Sequence, residues 1–101
     1  MAETPKGYVV AEVDVHDPEG FAAYRAAVPG VIAQYGGRYV ARGGAIVGAE
    51  GDAPKGRIVI VEFPSLAQAE VFVNSPEYAP VAAIRHRTST SRLFLVEGVD
   101  L

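Results

Sequence analysis

The sequence predicts an α+β domain: one antiparallel sheet covered by helices on a single face, its elements in the order βαββααβ. Three observations carry that expectation. Stretches at 7–15, 38–50, 57–63 and 91–97 have the length and the β-branched content of strands. Between the first two strands, and again between the last two, apolar residues recur at helical spacing behind start signals. The chain has 101 residues, which fits one domain over 1–101 and leaves no room for a second.

The first strand, GYVVAEVDV (7–15), is apolar at Val9, Ala11, Val13 and Val15, while the alternate positions turn acidic at Glu12 and Asp14. Asp17 then offers an N-cap oxygen, Pro18 suits the first helical position and Glu19 complements the positive helix end. Phe21, Tyr24, Val28, Ile32 and Tyr35 follow the helical period. Pro29-Gly30 interrupts this stripe without changing its phase, which predicts one kinked helix, ended by Gly36-Gly37. The second strand starts at Arg38 and is expected to pass a bulge at Gly43-Gly44 and reach about Glu50. Gly51 to Gly56 reads as the turn of a long hairpin. In the third strand, Arg57 to Phe63, the residues Ile58, Val59, Ile60 and Val61 are apolar on both faces, as a central strand requires.

Ser65 followed by Gln68 forms a capping-box pattern ahead of Leu66, Ala69 and Phe72. Asn74-Ser75-Pro76-Glu77 repeats a helix start, and a short helix to about Arg87 is expected to be distorted by Pro80. Ser91 to Glu97 closes the chain as a last strand, with Leu93 and Leu95 on one face and Phe94 and Val96 on the other. The whole is the ferredoxin-like βαββαβ pattern with an extra short helix before the last strand. Residues 1–6 read as a loose leader without the apolar stretch of a secretory signal.

Composition narrows the function classes. No cysteine is present, which excludes a disulfide scaffold, a thiolate zinc site and a cysteine nucleophile. A net charge of −3 argues against a nucleic-acid partner, and no apolar run is long enough to span a bilayer. The expected setting is the cytoplasm. Helices on one side leave the other sheet face bare, yet the last two strands are apolar on both faces. Each large aliphatic left in water forgoes roughly 1.5–3 kcal/mol of burial. A homodimer packed sheet against sheet about a two-fold axis is therefore expected.

Four blocks, GYVVAEVDV (7–15), YGGRYVARGG (35–44), VIVEFPS (59–65) and NSPEYAPVAAIRHRTSTSRLFLVEG (74–98), together resemble the family called domain of unknown function 1330, of the dimeric α/β-barrel superfamily. The resemblance spans nearly the whole chain. It implies the ferredoxin-like fold and sheet-to-sheet dimerisation, and it implies no particular reaction. Members of the superfamily include cofactor-free monooxygenases, lactone isomerases, haem enzymes and non-catalytic ligand-binding modules, and fold alone does not choose among them.

The candidate site residues follow from residue type and spacing. Arg38 and Arg42 share a face if their strand is regular, with Tyr39 on the other. Tyr78, Val81, Ala82 and Arg85 share one side of the last helix, so Arg85 can approach the strand arginines and complete an anion site. The alternative is that these arginines pair with Glu62, Glu97, Glu12 or Asp14 as structural bridges. Tyr24 and Tyr78 suit the wall of an aromatic pocket, or else are helix core with hydroxyls reaching the rim. His86, between Arg85 and Arg87, is either an acid–base near neutral pH or one of three cations complementing a helix C-terminus. Glu62, flanked on its face by Ile58 and Ile60, is either a general base or half of an ion pair. His16 reads as a loop residue, and no metal site and no cofactor are expected.

Two functions compete on this reading. One is a cofactor-independent enzyme or pocket for a small acidic or aromatic molecule in a helix–sheet cleft. There Arg38, Arg42 and Arg85 would hold the anion, and His86 or Glu62 would move a proton. The other is a non-catalytic ligand-binding, regulatory or structural dimer.

Overall fold

The structure, a computed structural model, describes residues 4–99. In chain order the elements are β1 (Gly7–Val15), α1 (Pro18–Gln34), β2 (Arg38–Arg42), β3 (Arg57–Phe63), α2 (Leu66–Val73), α3 (Tyr78–Thr88) and β4 (Ser89–Glu97). The four strands form one sheet in the order β2-β3-β1-β4, and every neighbouring pair is antiparallel. This is the expected ferredoxin-like arrangement with its additional helix.

Register decides the two faces. Val9 stands opposite Val61 on one side and Leu95 on the other, and Ala11 opposite Val59 and Leu93. These positions face the helices. Val28 and Ile32 of α1, Ala69 and Phe72 of α2, and Val81 of α3 close over them to form the core. The Phe72 ring lies between Phe63 and Tyr78, with centroids 5.0 and 4.5 Å away. The opposite face has no helix. It carries Tyr8, Val10 and Glu12 of β1, Ile58, Ile60 and Glu62 of β3, and Arg92, Phe94 and Val96 of β4. Phe94 and Val96 there are 52% and 47% exposed.

Helix ends follow the local chemistry. The Gly20 amide donates to the Asp17 carboxylate at 3.2 Å, with Pro18 in the first turn. At the other end Gly36 takes φ +85°, letting the Gly36 amide donate to Ala33 and the Gly37 amide to Ile32, the two bonds of a Schellman motif. Pro29 lies inside α1, which runs on as one helix. Ser65 accepts from the Gln68 amide at 3.1 Å, but the Gln68 side chain donates to the Tyr35 carbonyl instead of returning to Ser65. Half of the expected capping box is formed, because the longer-range partner competes for the amide. Pro80, expected to distort α3, falls in its first turn, where a missing N–H costs no helical hydrogen bond.

Two expectations about β2 are corrected. The strand stops at Arg42 instead of reaching Glu50, and residues 43–56 form an irregular connection. Gly43, Gly51 and Gly56 all adopt positive φ there, which breaks the pleat that an extended strand needs. The bulge lies at Val40, not at Gly43-Gly44: Tyr39 pairs with Val61 and Ala41 with Ile60, leaving Val40 without an opposite residue. β4 starts at Ser89, two residues before the expected Ser91, because Ser89 pairs with Val15. Of the segment expected to be loose, Met1 to Glu3 lie outside the described residues. Lys6 is tied down, its carbonyl accepting from the Gly98 amide at 2.7 Å.

Candidate functional site

A cavity of about 50 Å³ lies between the helix layer and the sheet. Its floor is Val9, Ala11, Val59 and Leu93, and α1 roofs it with Phe21 and Val28. That volume holds a few waters. Among the described residues the polar groups in its wall are tyrosines and arginines: Tyr24, Tyr39, Tyr78, Arg25, Arg42 and Arg57.

Tyr24 and Tyr78 arrive from α1 and α3, and their hydroxyls share a hydrogen bond at 3.0 Å. Burial pushes the Tyr24 hydroxyl far above the usual tyrosine range, and the neighbouring Tyr78 hydroxyl adds to this. The Arg85 charge pulls weakly the other way. Tyr39 is also raised by burial, with Arg42 and Arg57 opposing the shift. Both tyrosines are therefore neutral hydroxyls at physiological pH.

The arginines do not group as the sequence suggested. Arg38 pairs with Glu62 and Arg42 with Val59, so the bulge at Val40 sends the two arginines to opposite faces of the sheet. Arg42 joins Tyr39 on the helix side, its guanidinium 4.3 Å from the ring centroid. Arg38 stays on the helix-free face and donates from Nε to Glu62 at 2.9 Å, while the Tyr8 hydroxyl donates to the other Glu62 oxygen at 3.1 Å. The Arg38 guanidinium holds the Glu62 carboxyl below the usual carboxylate range, with Tyr8 assisting. Glu62 and Arg38 thus form an ion pair on the face away from the cavity, the structural alternative that the sequence left open.

Arg85 is buried on α3 beside the cavity, where Nη1 donates to the Ser91 hydroxyl and Nη2 lies 3.3 Å from His86 Nε2. Its Nε has no partner among the described residues. His86 itself is exposed on α3 and lies outside the cavity wall. Of the sequence candidates, Tyr24, Tyr78 and Arg42 meet at the cavity and Arg85 stands behind it. Glu62, Arg38 and His86 do not reach it.

Three wall residues escaped the sequence reading, though their periodicity contained a signal. Arg25 stands four positions after Phe21 and three before Val28, on the buried stripe of α1. Arg57 shares the parity of Val59, Val61 and Phe63, which all face the helices. Its guanidinium runs past Gly43, where a Cβ would come within 2.7 Å of Nη2. Tyr39 was visible only as the residue opposite in parity to Arg38. Among the described residues no group of three or more metal-ligating side chains is clustered, and no helix is long and apolar enough to cross a membrane.

This sheet order, with one helix-covered and one bare apolar face, defines a ferredoxin-like α+β domain. The chain belongs to the family described as Domain of unknown function (DUF1330), which matches residues 6–99. Among solved structures it is similar to RPA0582, a protein of unknown function from Rhodopseudomonas palustris. That pair has 19% identity and a TM-score of 0.72, covering 99% of this chain and 87% of the other. It is also similar to SnoaB, a cofactor-independent oxygenase from Streptomyces nogalater. Identity there is 20% and the TM-score 0.68, with 97% of both chains covered. No curated protein matches the sequence.

Proposed function

We propose that the protein is a cytoplasmic homodimer that binds a small, largely apolar molecule, aromatic rings included, in the helix–sheet cleft. The observation that carries this reading is the cavity itself. Its wall is mostly aliphatic and aromatic, and the Tyr24–Tyr78 pair sets two hydroxyls into it. Ligand sites combine an apolar lining with a few placed polar groups in this way. At about 50 Å³ the cavity is smaller than the roughly 150 Å³ that holds a benzene ring, so binding an aromatic molecule requires the α1 roof to move.

Binding fits the wall chemistry better than proton abstraction. No carboxylate or imidazole lies in the cavity wall among the described residues, so a base would have to come from the ligand. Conversion without a cofactor is the second reading, and the fold shared with SnoaB over 97% of both chains favours it. A thermal-shift screen of small aromatic and aliphatic compounds tests the proposal, with Ala11→Leu as the variant whose cleft is filled. Compounds that stabilise the natural chain and lose that effect in Ala11→Leu support cleft binding; an identical response of both proteins overturns it. Following each hit for product, with Tyr24→Phe beside the natural chain, separates binding from turnover. Product formed by the natural chain favours the enzyme, and its loss in Tyr24→Phe places the reaction in the cleft.

Dimerisation is proposed on the bare face, where Phe94 and Val96 stand about half exposed beside Val10 and Ile60. A second copy related by a two-fold axis would cover the same side chains in both chains.

A further inference from the structure

We propose that Arg25, Arg42 and Arg57 form an anion subsite at the mouth of the cleft, one that takes the carboxylate of a small apolar acid whose body lies in the cavity. The inference rests on the cleft-binding reading above and names the class of ligand.

The charges in the molecule are sorted by face. Both ion pairs among the described residues, Arg38–Glu62 and Arg92–Glu12, lie on the helix-free side of the sheet. On the helix side, Arg25, Arg42 and Arg57 all line the cavity, and among the described residues no carboxylate lines it with them. Three elements converge there, α1, β2 and β3, and the bulge at Val40 is what brings Arg42 to this side. Arg57 Nε is fully shielded from solvent and lacks a hydrogen-bond partner among the described residues, as does Nε of the buried Arg85 behind the cavity. Unmatched guanidinium donors in a low-dielectric cleft leave a positive field that an anion lowers. Arg42 is pre-placed by stacking on Tyr39, and Gly43 leaves room for the Arg57 guanidinium beside it. Guanidinium forks match a carboxylate through paired hydrogen bonds, whereas the apolar floor rejects a ligand that is polar throughout. Arg25 and Arg42 are exposed at the entrance, so the acid group sits at the rim and the hydrocarbon enters first.

Benzoate and its uncharged counterpart benzamide are the probes, with binding read by amide chemical shifts on the full chain. Benzoate is expected to bind about tenfold more tightly than benzamide. Arg42→Gln and Arg57→Gln are each expected to remove most of that preference, weakening benzoate binding far more than benzamide binding. Arg25→Gln and Arg42→Gln alter exposed side chains, so these variants keep the test valid if Arg57→Gln fails to fold. Arg87→Gln, on an exposed part of α3, is expected to keep the full preference. Equal binding of both probes, with shifts at cavity residues, overturns the anion subsite and leaves the cleft reading standing. An unchanged preference in the Arg42 and Arg25 variants overturns it as well. Binding of neither probe by the natural chain at roughly 10 mM overturns the cleft reading, and the subsite with it.

Discussion

Tyr24 and Tyr78 show how one buried hydrogen bond joins stability to the site. Their hydroxyls meet at 3.0 Å across the α1–α3 contact, in a wall that is otherwise largely apolar. Removing one hydroxyl leaves the other without its partner, so Tyr24→Phe is expected to lower stability by about 1–2 kcal/mol in chemical denaturation. An unchanged denaturation midpoint would show that the hydroxyls are satisfied in some other way. The same residue sets a pH dependence. Burial raises the Tyr24 pKa in the folded chain above its value in the unfolded chain. Above roughly pH 10 the unfolded tyrosine loses its proton while the folded one keeps it, so stability falls as pH rises. Its contribution is complete below that range and disappears upward. Tyr24→Phe should flatten the decline in stability between about pH 10 and pH 11, as measured by urea titration at each pH.

At the scale of elements, the connection from β2 to β3 discriminates between glycines of different duty. Gly56 has φ +78°, and a Cβ on it would come within 2.2 Å of the Val13 carbonyl oxygen. That is a backbone contact, which no rotamer change relieves. Gly48 has open space around its missing side chain. Gly56→Ala is therefore expected to destabilise by about 2–4 kcal/mol, and Gly48→Ala by less than about 0.5 kcal/mol. Comparable thermal midpoints for the two variants would contradict this account of the turn. The β2 strand also shows where periodicity misleads. Arg38 and Arg42 have the spacing of same-face residues, but a single unpaired residue, Val40, reverses parity between them. No residue type marks that position. Val40 is a good strand former, whereas the glycine pair that resembled a bulge lies beyond the strand end.

At the scale of the molecule, the bare sheet face is the surface on which the proposed dimer forms. Phe94 and Val96 occupy it among flanking ion pairs from Glu12 and Glu62. If two copies meet there, Phe94 is buried twice per dimer, at roughly 1.5–3 kcal/mol for each ring. Phe94→Glu should weaken dimerisation about hundredfold or more, converting dimer to monomer in sedimentation velocity at micromolar concentration. A natural chain that sediments only as monomer under those conditions would sink the dimer proposal.

Local chemistry carried most of the fold. The Asp17 cap, the glycine pair after Tyr35, the start signal at Ser65 and the β-branched runs each act within a few residues, where chain neighbours decide the backbone. Element order and the presence of a surplus apolar face followed from them. Only the tertiary structure decided which charged side chains share a space. Arg85 on α3 lies beside Tyr24 on α1, and Arg57 on β3 faces the same cavity as Arg25, because register and packing join positions far apart in the chain. Arg38 and Glu62 could be site residues or an ion pair, the second being preferred, until strand register placed both on the far side of the sheet and the bulge carried Arg42 away from them. Strand and helix were written in nearest-neighbour chemistry; the cleft depends on a one-residue register shift whose energy is settled only when all four strands and the helices pack together.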